Sequence, residues 1–306
     1  MALGVSSLSF PFGGGICFQV ETTYGAGVQA GTAYVISDAI TDVRLESGDI
    51  NNTLRTISSP SVADFSTVLV DPKLHVEWVF QPNVQAQQFE KLCVNRTNCD
   101  LSSMAIQIVA NSCSTTSDLY YNCKGAKCES ITISAAQGEN WTCSADFSLS
   151  SVATATATIC TIPSALGATT YPYAAFNAAG SITWSPSDIA YITKAFSVTV
   201  NNNLSNYYTV GSTAKKAAIP GAFDVTGSCD ISVDAGGYYI WPKVTAGTDI
   251  TSLVLNSGRT AATGAGKITL TNGRFDSLGI DLNTSGEGMI SSIPFKFKML
   301  RFTAGT

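Results

Sequence analysis

His75 is the only histidine in the chain, and this single residue limits the acid–base chemistry that the sequence could perform. A hydrolase needs a general base, and histidine is the side chain whose charge changes nearest to neutral pH. A Ser–His–Asp triad forms in space, so sequence order alone does not exclude one built on His75. However, His75 lies within an alternating segment, on the same polar side as Glu77. We therefore predict that His75 is an exposed strand residue and that the chain is not an enzyme.

A glycine-rich segment before Ile268 contains part of a phosphate-binding loop. Gly264 and Gly266 precede Lys267, as glycines precede the lysine of that motif. Ala261 stands where the motif has its first glycine, and Ile268 stands where a serine or threonine would bind magnesium. We therefore predict an ordinary loop before a strand, with no nucleotide or metal cofactor.

The chain has nine cysteines, and seven of them lie between residues 93 and 160. Three interpretations are open, which are disulfide bonds, free thiols in the core, and a zinc site. The interval between Cys123 and Cys128 could suit zinc, but no CxxC pair is present and His75 is distant. Disulfides persist on virions, outside cells and inside some hyperthermophiles, and we favour them here. The candidate disulfide cysteines are Cys93, Cys99, Cys113, Cys123, Cys128, Cys143 and Cys160.

Alternating polarity over residues 224–234 predicts a strand with one apolar face and one wet face. Val225, Cys229 and Ile231 fall on the apolar side, and three aspartates fall on the wet side. Residues six positions apart on one strand are separated by about 20 Å, so these carboxylates do not share a calcium ion. The acidic face would meet either bulk water or a channel. The three aspartates are Asp224, Asp230 and Asp234.

The composition favours a protein that works within an assembly. Hydrophobic residues make up 45% of the 306 residues, whereas charged residues make up only 13%. A typical domain has about a quarter of its residues charged, and a surface so poor in charge is often buried against other subunits. The net charge of −5 argues against tight binding to a phosphate backbone. Residues 1–20 lack the features of a secretory signal, and no apolar run is long enough for a membrane helix, so we expect no membrane partner.

The pattern of residues divides the chain into three segments. Residues 1–85 and 191–306 alternate in polarity and therefore predict strands. Residues 86–190 hold most of the cysteines, and we predict an inserted cysteine-rich β domain there. Within it, alternating Ala and Thr over residues 151–159 would form either a core strand of that domain or an edge that contacts another subunit.

Three local signals interrupt the strand pattern. Residues 47–53 have the composition of turns and predict a long loop. A short helix is predicted from Asp249 to Asn256, because Asp249 could cap it and Gly258 could end it. Asn272 and Gly273 form the dipeptide most typical of a two-residue hairpin turn.

Three motifs follow one another between Phe196 and Val233, namely SVTVNNNL, YTVGS and IPGAFDVTGSCDISV. This stretch resembles the core of tail tube proteins of tailed viruses, especially of the long-tailed siphovirus type. Residues 21–25, ETTYG, are similar to the start of that family, and residues 47–60 resemble its long early loop. With the alternating segment at residues 68–80, the resemblance covers more than half of the chain.

The resemblance implies a mainly β protein, a tail-tube-type β-sandwich or β-barrel with one short flanking helix. It implies a structural virion protein, made in the host cytoplasm, whose hexameric rings stack into a hollow tail tube. Tape-measure and tail-end proteins would be its partners, and viral DNA would pass through without specific binding. Asp224, Asp230 and Asp234 would face the lumen. The ring-stacking loop would be Ser47, Gly48, Asp49, Ile50, Asn51, Asn52 and Thr53.

Two alternatives stay open. Residues 86–190 would be either an outward-facing domain on the tube or part of a second tube-like half, which would give trimeric rings with pseudo-sixfold symmetry. The lack of repetition between the halves favours the insertion. The alternative function is that of an extracellular β-rich filament, surface-layer or adhesion protein.

Overall fold

We describe the chain from a computed structural model. The residues that the structure describes are 15–28, 33–36, 40–55, 62–80, 84–97, 99–110, 119–156, 159, 182–184, 187–188, 193–232, 245–247, 249–256, 267–277 and 290–303.

The described chain is mainly β, as the sequence predicts. Its single described helix is α1 (Val84–Val94). The strands are β1 (Gly15–Val20), β2 (Tyr34–Ile36), β3 (Ile40–Glu46), β4 (Asp49–Arg55), β5 (Val62–Val70), β6 (Lys73–Val79), β7 (Arg96–Thr97), β8 (Asp100–Leu101), β9 (Met104–Ala110), β10 (Leu119–Ala136), β11 (Thr142–Ser148), β12 (Ser151–Ala155), β13 (Ile182–Trp184), β14 (Ser187–Asp188), β15 (Thr193–Asn201), β16 (Ser205–Tyr208), β17 (Lys215–Ile219), β18 (Asp224–Ser232), β19 (Ile250–Asn256), β20 (Lys267–Phe275) and β21 (Ile290–Thr303).

One sheet of 15 strands organises the molecule. Its main path runs β14-β13-β19-β20-β21-β18-β15-β10-β11-β6-β3, with antiparallel pairing throughout. Among the described strands this path does not close on itself. A side branch of β9, β1, β2 and β12 extends from the first half of β10.

Strand β10 joins the main path to the side branch. Its first half pairs with β9 and β12, and its second half pairs with β11 and β15. The register shifts between Cys123 and Ala126, where Gly125 has a φ of 62°, and again between Cys128 and Ser130. Such irregularities bend a strand and increase its twist. A single long strand therefore contributes to both parts of the sheet.

Helix α1 packs between the two parts of the sheet. The family resemblance implies one short flanking helix, but the sequence did not predict a helix at this position. Phe89 and Cys93 are four residues apart, lie on one helix face and are buried. The ring centroid of Phe89 is 4.9 Å from that of Phe18 in β1 and 5.2 Å from that of Trp78 in β6. These residues belong to one hydrophobic core, so the two parts of the sheet form a single folding unit.

The helix predicted from Asp249 to Asn256 is wrong, because Ile250–Asn256 is strand β19. Its Leu253 and Leu255 are buried, and the strand pairs with β13 and β20. Val254 between them favours an extended chain. Asp249, the predicted cap, forms a surface ion pair with Arg274 instead.

The predicted hairpin turn at Asn272 and Gly273 lies inside β20. Asn272 has a φ of 57°, and the register with β19 and β21 is the same on either side of it. A Cβ atom on Gly273 would lie 2.3 Å from the ring of Phe297. The dipeptide therefore accommodates a local distortion and a close aromatic contact, and it does not reverse the chain.

Most described strands of residues 86–190 belong to the 15-stranded sheet, although β7 and β8 pair in a separate two-stranded sheet. The inserted domain stays a prediction. Strands β10 and β11 lie between β15 and β6, which belong to the flanking segments. Ile131, Val198 and Val76 from all three segments share one core. Strand β12 pairs only with β10 among the described strands, and its Thr154 is exposed, so it is an edge strand. An outward position stays a prediction for the rest of this segment.

Candidate functional site

The outward side of the main sheet carries a continuous field of polar side chains, which we call the polar face. We define it on β18, β15, β10 and β11, four adjacent strands of the main path. Because side chains alternate along a strand, the opposite side of the same strands is apolar and buried. The polar face comprises Asp224, Thr226, Ser228, Asp230, Ser197, Thr199, Asn201, Ser130, Thr132, Ser134, Thr142, Ser144 and Asp146.

The strand registers arrange the hydroxyl groups of the polar face in two rows. One row is Thr226, Thr199, Thr132 and Ser144, and the other is Ser228, Ser197, Ser134 and Thr142. Within the rows, Oγ1 of Thr132 lies 2.9 Å from Oγ1 of Thr199, and Oγ of Ser134 lies 3.1 Å from Oγ1 of Thr142. One pair of hydroxyls in each row is therefore hydrogen-bonded, and the residues of the two rows carry no charge.

A third row carries two of the three charges of the polar face, and Asp230 lies outside it. It runs Asp224, Asn201, Ser130 and Asp146 across the same four strands. Asp224 is exposed, and one of its carboxylate oxygens accepts a hydrogen bond of 2.7 Å from Nδ2 of Asn203. The alternation predicted for β18 is confirmed, since Val225 and Cys229 are buried while Asp224 is exposed and Asp230 is partly exposed. Asp234 lies outside the described residues.

His75 lies beyond the polar face, on the outer side of β6, as the sequence predicts. Its Nδ1 is 2.7 Å from Asp146 Oδ1, and its Nε2 is 3.2 Å from Glu77 Oε1. Partial burial lowers the pKa of His75, but the hydrogen bonds with both carboxylates and their charges outweigh that effect and raise it. Because both ring nitrogens contact carboxylates, neither is positioned to activate a serine hydroxyl.

The segment predicted as a ring-stacking loop is largely extended. Asp49–Arg55 is β4 and pairs with β5 in a separate two-stranded sheet, so residues 49–53 form one arm of a hairpin. Gly48 precedes this arm with a φ of 62°, and a Cβ atom there would lie 1.8 Å from the carbonyl oxygen of Asp71. Only glycine fits this close approach of two backbones.

A buried ion pair anchors this hairpin beside a second hairpin formed by β16 and β17. Lys215 of β17 is fully buried, and its Nζ lies 2.5 Å from Asp71 Oδ1, just after β5. The backbone N–H of Val70 donates to the carbonyl of Thr213 at 2.9 Å. The second hairpin exposes three apolar side chains, Tyr207, Val210 and Ile219.

Five of the seven candidate disulfide cysteines are free thiols, so the prediction is wrong for them. They are Cys93, Cys99, Cys123, Cys128 and Cys143, and Cys113 and Cys160 lie outside the described residues. All but Cys99 are buried in the apolar core, and burial raises the pKa of Cys123 to about 12. These buried thiols are therefore chemically inert hydrophobic residues. Sequence spacing did not reveal this because it does not show the direction of a side chain.

Two buried glutamates, which sequence reasoning missed, differ in how their charge is satisfied. Glu21 accepts backbone N–H groups from Gly25, Gly27 and Gly125 at 2.8–3.0 Å, which pins the ETTYG segment against the irregularity in β10. Glu90 accepts one hydrogen bond of 2.8 Å from Trp78 Nε1, and its Oε2 has no partner. Burial raises the pKa of Glu90 to about 8.

Among the described residues, no helix has the length and apolarity to cross a membrane. A search of curated proteins finds no match. A family model described as phage tail tube protein matches residues 15–298. The match includes the cysteine-rich segment as well as both flanking segments, in agreement with their common sheet. The chain therefore belongs to the phage tail tube protein family.

Proposed function

We propose that this chain polymerises as stacked hexameric rings into the hollow tail tube of a virion, through which viral DNA is delivered. Family membership supports a structural component of the virion tail. The observation that carries the more detailed proposal is the polar face, in which two rows of uncharged hydroxyls cross four strands. We propose that this face lines the lumen.

The chemistry of the polar face suits the passage of DNA without retention. A lysine or arginine that contacts a phosphate releases counterions, which supplies most of the nonspecific affinity for DNA. The three rows of the polar face contain no lysine or arginine, and the charged members of the face are Asp224, Asp230 and Asp146. Two cations lie beside these rows, namely Lys194 on β15 and Lys296 of β21, which is opposite Thr226 and pairs with Asp276. Carboxylates repel the phosphate backbone, and the hydroxyl rows present only neutral groups. A tape-measure protein could occupy the same lumen before DNA is released.

We propose that rings stack through the two adjacent hairpins. The β4–β5 hairpin contains the candidate stacking residues 49–53, and the β16–β17 hairpin lies beside it through Lys215 and Asp71. Covering exposed apolar side chains such as Tyr207 and Val210 with another subunit lowers the free energy of the assembly, because it removes apolar surface from water. Residues 86–190 outside the main sheet would face away from the lumen.

Electron microscopy of the purified, unreduced protein tests the tube. Hollow stacked rings with sixfold symmetry are expected, and tail-end proteins would be found only at the ends of such tubes in particles. Solid filaments or flat sheets would instead favour the extracellular filament or surface-layer function.

Lysine substitutions test the orientation of the polar face. Thr199→Lys and Asp224→Lys place cations on it, and we expect assembled particles to release DNA more slowly, with the delay decreasing at higher salt. The matched control is Gln137→Lys, because Gln137 is exposed in the turn after β10. Unchanged DNA release in both polar-face variants would show that this face is not in the lumen.

We also propose a disulfide at Cys17. This proposal is supported by the free thiols among the described residues, which do not include Cys17. Peptide mass mapping without reduction is expected to recover a Cys17 peptide only in cross-linked form. Recovery of that peptide as a free thiol would contradict this proposal.

A further inference from the structure

Three potential metal ligands converge at one end of the main sheet. Asp42 of β3 and His75 and Glu77 of β6 each place one ligating atom within 4.8 Å of the other two. The strands are adjacent and antiparallel, and the register puts Asp42 directly opposite Glu77. The convergence therefore follows from the pairing of these two strands. All three residues are only partly buried, so an ion could reach them from solvent.

We propose that Asp42, His75 and Glu77 form a binding site for a divalent transition-metal ion, with zinc as the best-matched ion. Imidazole and carboxylate are ligands that zinc accepts, at about 2.0–2.2 Å each. Two such ligands in a tetrahedral site are about 3.3 Å apart. The distance between His75 Nε2 and Glu77 Oε1 is 3.2 Å. A carboxylate oxygen of Asp42 lies within 4.8 Å of both atoms, and water would complete the coordination.

Two further residues orient the histidine for this role. Asp146 accepts a hydrogen bond from Nδ1 of His75 at 2.7 Å, so the nitrogen that would bind the ion, after losing its proton, is Nε2, which lies beside Glu77. The other oxygen of Asp146 accepts a hydrogen bond of 3.0 Å from the hydroxyl of Ser130. In zinc proteins, the ring nitrogen of a ligating histidine that does not bind the metal usually donates a hydrogen bond to a carboxylate, a backbone carbonyl or water. A relay from Ser130 through Asp146 to His75 therefore runs across three strands to the site.

The local charge also favours a dication. Asp42, Glu77 and Asp146 bring three carboxylates to the site, and Arg44, whose Nη2 lies 2.7 Å from Asp42 Oδ2, is the cation paired with Asp42. A metal ion would offset the remaining negative charge. This inference does not depend on the proposed function, because the site would bind zinc in an isolated chain as well as in a tube.

Because His75 is the only histidine, a histidine-specific measurement reports on this site alone. The full chain, labelled with ¹⁵N-histidine and stripped with EDTA, is titrated with zinc chloride while the ring nitrogens are observed by NMR. We expect one equivalent of zinc to bind and to shift the Nε2 resonance far more than the Nδ1 resonance. Zinc that binds without moving either resonance would overturn the proposal.

Variants separate this site from the thiols of the chain. His75→Gln is expected to abolish the bound equivalent in calorimetry, and Asp146→Asn to weaken affinity about 10- to 100-fold, since Asp146 acts through His75. The matched control is Glu46→Gln, a carboxylate of β3 outside the cluster, which should leave affinity unchanged. Stoichiometric binding that survives in His75→Gln and disappears in Cys99→Ser would assign zinc to the exposed thiol and overturn the proposal.

Discussion

The two faces of the main sheet use the same strands for opposite purposes. On β15, Val198 and Val200 are buried in the core, whereas Thr199 between them belongs to the polar face. The apolar face packs against α1 and the aromatic side chains around it, and the polar face carries hydroxyls that contact one another. Stability therefore depends mainly on one face, and the proposed function depends on the other.

This separation predicts that neighbouring residues tolerate substitution very differently. Substituting a buried residue removes packing contacts or leaves polar groups without partners, which lowers the free energy of unfolding by several kcal/mol. Substituting an outward residue replaces one solvated group with another and has a small effect. The four substitutions below test this contrast, beginning with the largest expected effect.

Trp78→Ala should cause the largest loss, because Trp78 lies at the centre of the apolar face. It is 1% exposed, packs edge-on against Phe89 and donates the hydrogen bond to Glu90. Large aromatic-to-alanine changes in a core cost about 3–5 kcal/mol. Urea denaturation should show this decrease in the free energy of unfolding. Tyr207→Ala, an exposed aromatic control, should change it by less than about 0.5 kcal/mol. Equal losses in both variants would contradict the contrast.

Glu90→Gln tests whether the buried side tolerates a charge. With a folded pKa of about 8 and an ordinary value of 4.5, Glu90 takes up a proton on folding between these pH values. The free energy of unfolding should therefore fall as pH rises through this window, by up to about 1.4 kcal/mol per pH unit. The variant keeps an oxygen for Trp78 but has no charge to bury.

We expect Glu90→Gln to be more stable than the wild type at pH 8 and similar to it below pH 4.5. The difference between the two denaturation midpoints across a pH series isolates this group from the other titrating residues. Parallel pH profiles would mean that Glu90 is ionised in the folded chain.

Val198→Thr should have an intermediate effect, because it places a hydroxyl on the apolar face at nearly constant size. Val198 is 1% exposed. A buried hydroxyl without a partner costs about 1–3 kcal/mol. Thermal unfolding should show a lower midpoint with no change in the strand signal of the circular dichroism spectrum. A midpoint equal to that of the wild type would show that this part of the core admits water.

Thr199→Val is the reciprocal change at the next residue and should have the smallest effect. It removes one hydroxyl from the polar face and leaves that of Thr132 to bond with water. The expected change in the free energy of unfolding is below about 0.5 kcal/mol. A loss as large as that of Val198→Thr would show that the hydroxyl rows stabilise the fold, and the two faces would then not be separable.

Much of the fold is readable from periodicity. Leu74, Val76 and Trp78 alternate with His75 and Glu77, and the structure confirms both sides of β6. Alternation also located β18 and the position of Asp224. The errors have a common cause. Asp249 is a local signal for a helix cap, and the pair Asn272-Gly273 is a local signal for a turn. Pairing within the sheet outweighed both signals, because it provides backbone hydrogen bonds along the whole of β19 and β20.

The candidate site was less predictable than the strands. The sequence separates Thr226 from Thr132 by many residues, so their common row depends on the registers of two strand pairs. Likewise, Asp42 and Asp146 meet at His75 only because β3 and β11 flank β6. The position of the cysteines along the chain does not encode the faces on which their side chains lie.

By itself, the sequence determined the mainly β class, the faces of individual strands, the low surface charge and the resemblance to tail tube proteins. Only the tertiary structure decided the strand order, the integration of β10 and β11 into one sheet, the free state of five cysteines and the rows of the polar face. The physical reason is that alternation is a property of one strand, whereas register and neighbour choice depend on burying a shared core. That core is assembled from residues that are distant along the chain.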